Sequence, residues 1–231
     1  MIAIHNNPIL EKSSFSIGLL VVEQVQNNAQ NRLSTAKRML ENELREKYGQ
    51  LARSELKLLH PMDVYVTFYK QFGYTYHVLP QLESVAKGKA LPEGLPLVEA
   101  MYMAELKNML LTAGHDLDKV RCPLRALYSE GQAHFTALNG KTVSTLPGDI
   151  MITDQASVIS SILRGPDLRT AITEQTSRVI YTVYAPNGIN KQLIRQHLDD
   201  IESYVQIFSG ESVTYLKQVF EGPSDLSTAC L

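Results

Sequence analysis

Cysteine is nearly absent: Cys122 and Cys230 are the only two in 231 residues, and they lie far apart. That spacing makes neither a disulfide framework nor a metal-ligand set, so buried or free thiols in a reducing cytosol are expected. Charge of one sign is not in excess either. Lysine and arginine number 22 against 24 aspartates and glutamates, so nucleic-acid binding would need a local basic face. No apolar run approaches a membrane span, and the N-terminus lacks a basic-led apolar segment with a cleavage site. A soluble, cytoplasmic protein without membrane contact is the expectation. The six histidines include no His-x-x-x-His pair and no Cys–His cluster, which argues against a metal. Phosphate-cradling glycine loops, dinucleotide fingerprints and Gly-x-Ser-x-Gly elbows are missing, so no cofactor and no covalent serine mechanism are indicated. No repeat, low-complexity segment or linker divides the chain.

What is present is an ordinary apolar share, 44%, enough for a substantial core, and a change of period along the chain. Phe15 to Val22 reads as a strand. Asn31 to Tyr48 reads as a helix, because Leu33, Ala36, Met39, Leu40 and Leu44 recur every three to four residues while the charges fall mostly on the other face. Pro61 to Gly73, Leu79 to Ala86 and Leu97 to Leu111 follow as helices. Tyr65, Phe68, Tyr69, Tyr74 and Tyr76 crowd the first of these; they could stack on bases, but helical spacing favours core packing. From Val120 the pattern shortens into strands over residues 123–128, 133–138, 142–146, 149–154, 158–163 and 178–184. Asn139-Gly140 marks a hairpin. Helices over residues 191–206 and 209–220 and a loose tail from Gly222 complete the reading. Helices gathered against one antiparallel β region predict an α+β fold.

Chemistry-bearing residues concentrate from Leu163 to Tyr184. Gly165-Pro166-Asp167 is a turn signal, and it carries Arg164, Arg169, Asp167 and Thr170 between two strands. Polar clusters on loops held by rigid strands are common binding sites; the plainer reading is a solvated hairpin whose Arg and Asp pair with each other. His115 and Asp116 form a second candidate in what reads as a loop, where Asp116 could orient the imidazole only through a bent backbone. Asp116 as a cap or turn former is the alternative. No catalytic residue is assigned.

Several short motifs recur in a telling order: Gly88-Lys89-Ala90-Leu91-Pro92, Leu97-Val98-Glu99, Gly114-His115-Asp116-Leu117-Asp118-Lys119-Val120, Pro147-Gly148-Asp149, Asp154, Arg164 to Thr170, and Tyr184-Ala185-Pro186. Together, from about Pro61 to Ile189, they resemble the B3/B4 domain, the tRNA-editing domain of the phenylalanyl-tRNA synthetase beta subunit, also found as free-standing proteins. The resemblance implies an antiparallel β-sheet or sandwich core flanked by N- and C-terminal helices. Residues 1–60 would pack on the core as an extension, 61–221 would form the domain, and 222–231 a flexible tail. It also implies a module that takes the acceptor end of an aminoacyl-tRNA, not DNA, and hydrolyses the wrong ester by positioned water. A non-catalytic module binding tRNA or a small amino-acid-like ligand is the other reading. Two departures bear on this. Ala113 stands where the family has a histidine near its pocket, and Thr182 where it has a glutamate that recognises a tyrosine hydroxyl. The substrate-binding candidates are His115, Asp116, Arg164, Gly165, Asp167, Arg169, Thr170 and Thr182. Arg164, Asp167, Arg169 and His115 are expected to line one cavity beside Thr182.

Overall fold

The computed structural model describes residues 14–28 and 31–230. The expected absence of a leader segment falls on residues 1–13, outside the described residues. The chain runs β1 (Phe15–Glu23), α1 (Ser34–Tyr48), α2 (Arg53–Leu56), α3 (Met62–Gln71), α4 (Val78–Ala86), α5 (Pro96–Asn108), β2 (Leu111–Asp116), β3 (Arg125–Glu130), β4 (His134–Thr136) and β5 (Thr142–Ser144). It continues with β6 (Pro147–Thr153), β7 (Val158–Ser161), β8 (Gly165–Pro166), β9 (Val179–Pro186), α6 (Lys191–Phe208), β10 (Val213–Glu221) and β11 (Ser224–Asp225). The fold is α+β, with antiparallel sheets.

One sheet has the order β10-β1-β9-β2, a second the order β11-β3-β6-β7-β8, and β4 with β5 makes a separate hairpin. Side chains alternate across β9, and that alternation defines two layers. Tyr181 points to the helices, its hydroxyl donating to the carbonyl of Leu97 on α5 at 2.8 Å. Close packing there requires Gly18 on β1: a Cβ would come within 2.5 Å of Ile194 on α6. Tyr184 points the other way, toward the second sheet, where its hydroxyl meets Ser160 on β7. The space between the sheets is the layer that matters below. Among the described residues, no helix is long and apolar enough to cross a membrane.

The helices α1, α3, α4 and α6 lie close to where periodicity puts them, and the Asn139-Gly140 hairpin forms with Gly140 at φ +77°. Three stretches differ. Residues 111–116 form a strand, β2, buried along its whole length, where the sequence reads as the end of a helix and a loop. Residues 213–221 form the edge strand β10, paired with β1, in place of the expected second C-terminal helix. Within residues 223–230, where a loose tail is expected, β11 pairs with β3, and Leu226 donates its N–H to the Leu124 carbonyl and is fully buried. That return also corrects the thiol expectation, because Cys122, two residues before Leu124, is half of a disulfide. With Cys122 disulfide-bonded, the free-thiol argument for a reducing compartment falls.

Candidate functional site

The residues singled out from the sequence lie around the Val179 end of β9, and they are partnered within the protein. His115 stands on β2 opposite Ile180 and faces the second sheet. Its ring is fully buried, with Nδ1 at 2.8 Å from Thr170 Oγ1 and Nε2 at 3.1 Å from Ser160 Oγ. Donor bookkeeping fixes the polarity of this chain. Asp167 as a carboxylate only accepts, so Thr170 donates its hydroxyl to Asp167 and accepts from Nδ1–H. Nε2 therefore carries the lone pair and accepts from Ser160, which in turn accepts from Tyr184. Burial, reinforced by the nearby Arg169 charge, holds the imidazole pKa down to about 3. At neutral pH His115 is an uncharged link in a closed chain, with no lone pair free to take a proton from substrate.

Arg169 closes the same cluster from the rim. One terminal nitrogen donates to the Lys119 carbonyl at 2.8 Å and the other to Asp154 at 2.8 Å, while Nε lies 3.6 Å from Asp167. Burial works against the Asp154 charge, but N–H bonds from Arg121, Ser157 and Ala156 and the Arg169 guanidinium hold its carboxyl below the usual range. Both guanidinium faces that could grip a ligand anion are thus occupied by the protein.

Of the remaining candidates, Thr182 shares the face of β9 that His115 and Tyr184 occupy, while the side chains of Asp116 and Arg164 make contacts of their own. Asp116 accepts from Thr176 at 2.9 Å and from the Asp118 N–H at 3.2 Å and pairs with Lys119 at 3.2 Å, the arrangement of a turn former. Arg164 bonds the Ser144 carbonyl at 2.9 Å and sits 5.2 Å over the Tyr74 ring. Gly165 follows with φ +76° in open space, so its role in the turn is backbone freedom. Thr182 is buried and donates to the Ala113 carbonyl at 3.3 Å. The structure therefore brings His115, Asp167, Arg169 and Thr170 together, adds Ser160 and Tyr184 with Thr182 on the same face of β9, ties Asp116 to the cluster only through its backbone N–H on the Thr170 carbonyl, and separates Arg164 from it. None of the eight lines any of the four described cavities.

Open space lies at the other end of β9. Pro186 is six residues beyond Ile180, about 20 Å along an extended strand. There a cleft of about 580 Å³ lies between α3, the start of β6 and the Pro186-Asn187 turn. Its apolar lining includes Val64, Phe68, Phe72, Tyr128 and Ile150, and its polar lining Ser14, Asp63, Thr67, Gln71 and Asn187. Among the described residues, Asp63 is the single carboxylate in the lining and no lysine or arginine contributes to it. The Asp63 carboxylate is held by His60 at 3.2 Å. Two buried tyrosines fix the wall: the Tyr65 hydroxyl bonds the Tyr184 carbonyl and accepts from the Leu111 N–H, and the Tyr69 hydroxyl bonds the Ile162 carbonyl. Tyr65 also stacks on Tyr76, with centroids 4.4 Å apart.

The aromatic cluster of α3 thus divides. Tyr65, Tyr69 and Tyr76 are core, as helical spacing suggests, while Phe68 and Phe72 are half-buried and face the cleft. A signal for this was available: α3 alternates buried tyrosines with Asp63, Thr67 and Gln71 at three-to-four spacing, a polar stripe beside apolar ones.

No family model matches the chain, and no curated protein matches it. Among solved structures it is similar to an N-terminal fragment of the phenylalanyl-tRNA synthetase beta-subunit from Pyrococcus horikoshii. The two are 13% identical with a TM-score of 0.44, and the match covers 58% of this chain and 47% of that one. The likeness is a weak one at the level of fold, and this chain spans less than half of the solved fragment's length.

Proposed function

We propose that this chain is a binding module whose α3 cleft receives an amino-acid-like group, in the form of an aminoacyl ester or amide. The observation that carries the reading is the composition of the cleft lining. One carboxylate, Asp63, is placed to meet an α-ammonium, and Phe68, Phe72, Val64 and Ile150 offer a surface for an apolar side chain. Among the described residues the lining offers no lysine or arginine to pair with a free α-carboxylate, so an acylated group fits better than a free amino acid. The sequence motifs shared with the B3/B4 domain point to the acceptor end of a tRNA as the carrier.

Of the two activities those motifs imply, binding and hydrolysis, the geometry supports binding. Deacylation by positioned water needs a base with a free lone pair and donors aimed at the developing oxyanion. The lone pair of His115 is bonded inside a sealed layer. In this reading His115, Asp167, Arg169 and Thr170 hold the Arg164–Thr176 loop to the two sheets, and substrate does not reach them.

Calorimetric titration separates the possibilities. L-Phenylalaninamide is expected to bind more tightly than L-phenylalanine, and N-acetylation of the amide to weaken binding at least about tenfold, the loss of one charge-assisted bond. Equal affinity for the amide and the free acid would remove the basis of the reading. A panel of mischarged tRNAs is expected to lose its amino acids no faster with the protein than without it. Rapid turnover would restore the hydrolase.

A further inference from the structure

Beside the cleft, on the next ridge of α3, lies a shallow trough formed with α2. Arg53, Lys57 and Lys70 line it, and Asp63 and Thr67 belong to both the trough and the cleft. The arrangement follows from helical spacing: residues 63, 67 and 71 face the cleft, and 63, 66 and 70 face the trough, so Asp63 stands on the crest between them. Three cations against one carboxylate make the trough locally basic in a chain whose net charge is −2. Arg53 is loosely paired with Glu83 at 3.7 Å. Lys57 and Lys70 are exposed and have no ion-pair partner among the described residues.

The geometry points to a phosphate-binding site for the carrier of the acyl group: the group seated in the cleft is tethered to a phosphate-bearing chain that leaves over Asp63 and Thr67, and its phosphates lie on Arg53, Lys57 and Lys70. This rests on the cleft reading above and specifies what the acyl group is attached to. An ester linkage removes the carboxylate that the cleft cannot pair, and the adjoining cations match the charge such a carrier brings. The lysines act as point charges, so contact is made without sequence preference.

The test uses the full chain and three probes: L-phenylalaninamide, a nucleoside monophosphate carrying phenylalanine through a 3′-amide, and an oligoriboadenylate of about six nucleotides, within the usual span of a single-strand site, carrying the same 3′-amide. The double variant Lys57→Glu/Lys70→Glu changes exposed side chains only, and retention of fold is checked by circular dichroism. The oligonucleotide conjugate is expected to bind more tightly than the amide alone, with affinity falling as salt rises. In the double variant that advantage disappears and the slope of log K on log salt becomes shallower by about 1.4, about 0.7 for each lost phosphate contact, while amide binding is unchanged. A mononucleotide conjugate that captures the whole gain assigns a single phosphate; a gain that grows with chain length assigns a strand. A conjugate no tighter than the amide, or a gain that survives the double charge reversal, overturns the trough while leaving the cleft standing. Failure of the natively folded protein to bind the amide overturns both.

Discussion

At the Val179 end of β9, the polar side chains between the sheets find their partners inside the protein; at the Pro186 end, Asp63, Thr67, Gln71 and Asn187 face open space. The same strand thus runs from a sealed polar layer to a solvated cleft. The sealed end contains most of the residues that look like chemistry in the sequence, His115, Arg169 and Asp167 among them. The open end is lined by residues that attract little notice singly. Buried polar groups must be satisfied, so a dense cluster of reactive types is often the means by which a loop is fixed in place. Groups poised for a ligand are those whose bonding capacity is left over.

The comparison can be broken most forcefully at His115. Replacing it with alanine leaves Thr170 and Ser160 without their ring partners and opens a cavity between the sheets; a loss of about 3–5 kcal/mol is expected by urea unfolding, with amide binding retained in the folded fraction. Arg169→Met comes next. It strips the counter-charge from Asp154 and Asp167, and because the guanidinium is about a third exposed the expected cost is nearer about 2–3 kcal/mol than the larger values of fully buried pairs.

The pH profile of stability sharpens the contrast with two opposed limbs. Burial pushes the Glu105 carboxyl up to about 8, against an N–H bond from Thr112, and Asp149 up to about 6. Groups with raised pKa contribute stability that is full below about pH 4 and is lost as pH rises through 6 and then 8. His115 and His197 are held down to about 3 by burial; their contribution is present above about pH 6.5 and is lost as pH falls toward 3. Urea midpoints should therefore decline on both sides of a maximum near pH 6. Glu105→Gln should flatten the alkaline limb and, because the Glu105 contribution is lost from about pH 4.5 upward, steepen the acid limb above that pH while leaving it unchanged below. An unaltered alkaline limb would show that Glu105 does not carry it. The smallest effect on stability is expected at the open end: Asp63→Asn should change it by less than about 0.5 kcal/mol while weakening amide binding about tenfold.

Much of this architecture is readable from residue patterns where local forces decide. The helix over 34–48 and the hairpin at Asn139-Gly140 need only periodicity and turn chemistry. β2 is illegible for a physical reason: Gly114, His115 and Asp116 are poor strand signals, and the polar side chains of Thr112, His115 and Asp116 sit there because His197, Thr170 and Thr176 come from elsewhere in the chain to satisfy them. Gly114 is small because Ile172 and Tyr181 press against it. β10 did carry a local signal, the β-branched and aromatic run Val213-Thr214-Tyr215, but its state is decided by pairing with β1 some 190 residues away. The candidate residues were likewise visible as types while their saturation was not, since hydrogen bonds spanning 45 to 60 positions leave no trace in spacing.

The central claim is that ligand enters at α3 and leaves the His115 layer untouched. Titrating the isotopically labelled protein with L-phenylalaninamide and following amide and side-chain resonances by NMR tests it directly. Shifts are expected to concentrate at residues 63–72, 148–150 and 186–187, with the His115 ring neutral, protonated on Nδ1 and unmoved. Shifts centred on His115, Ser160 and Thr170, with α3 silent, would contradict it.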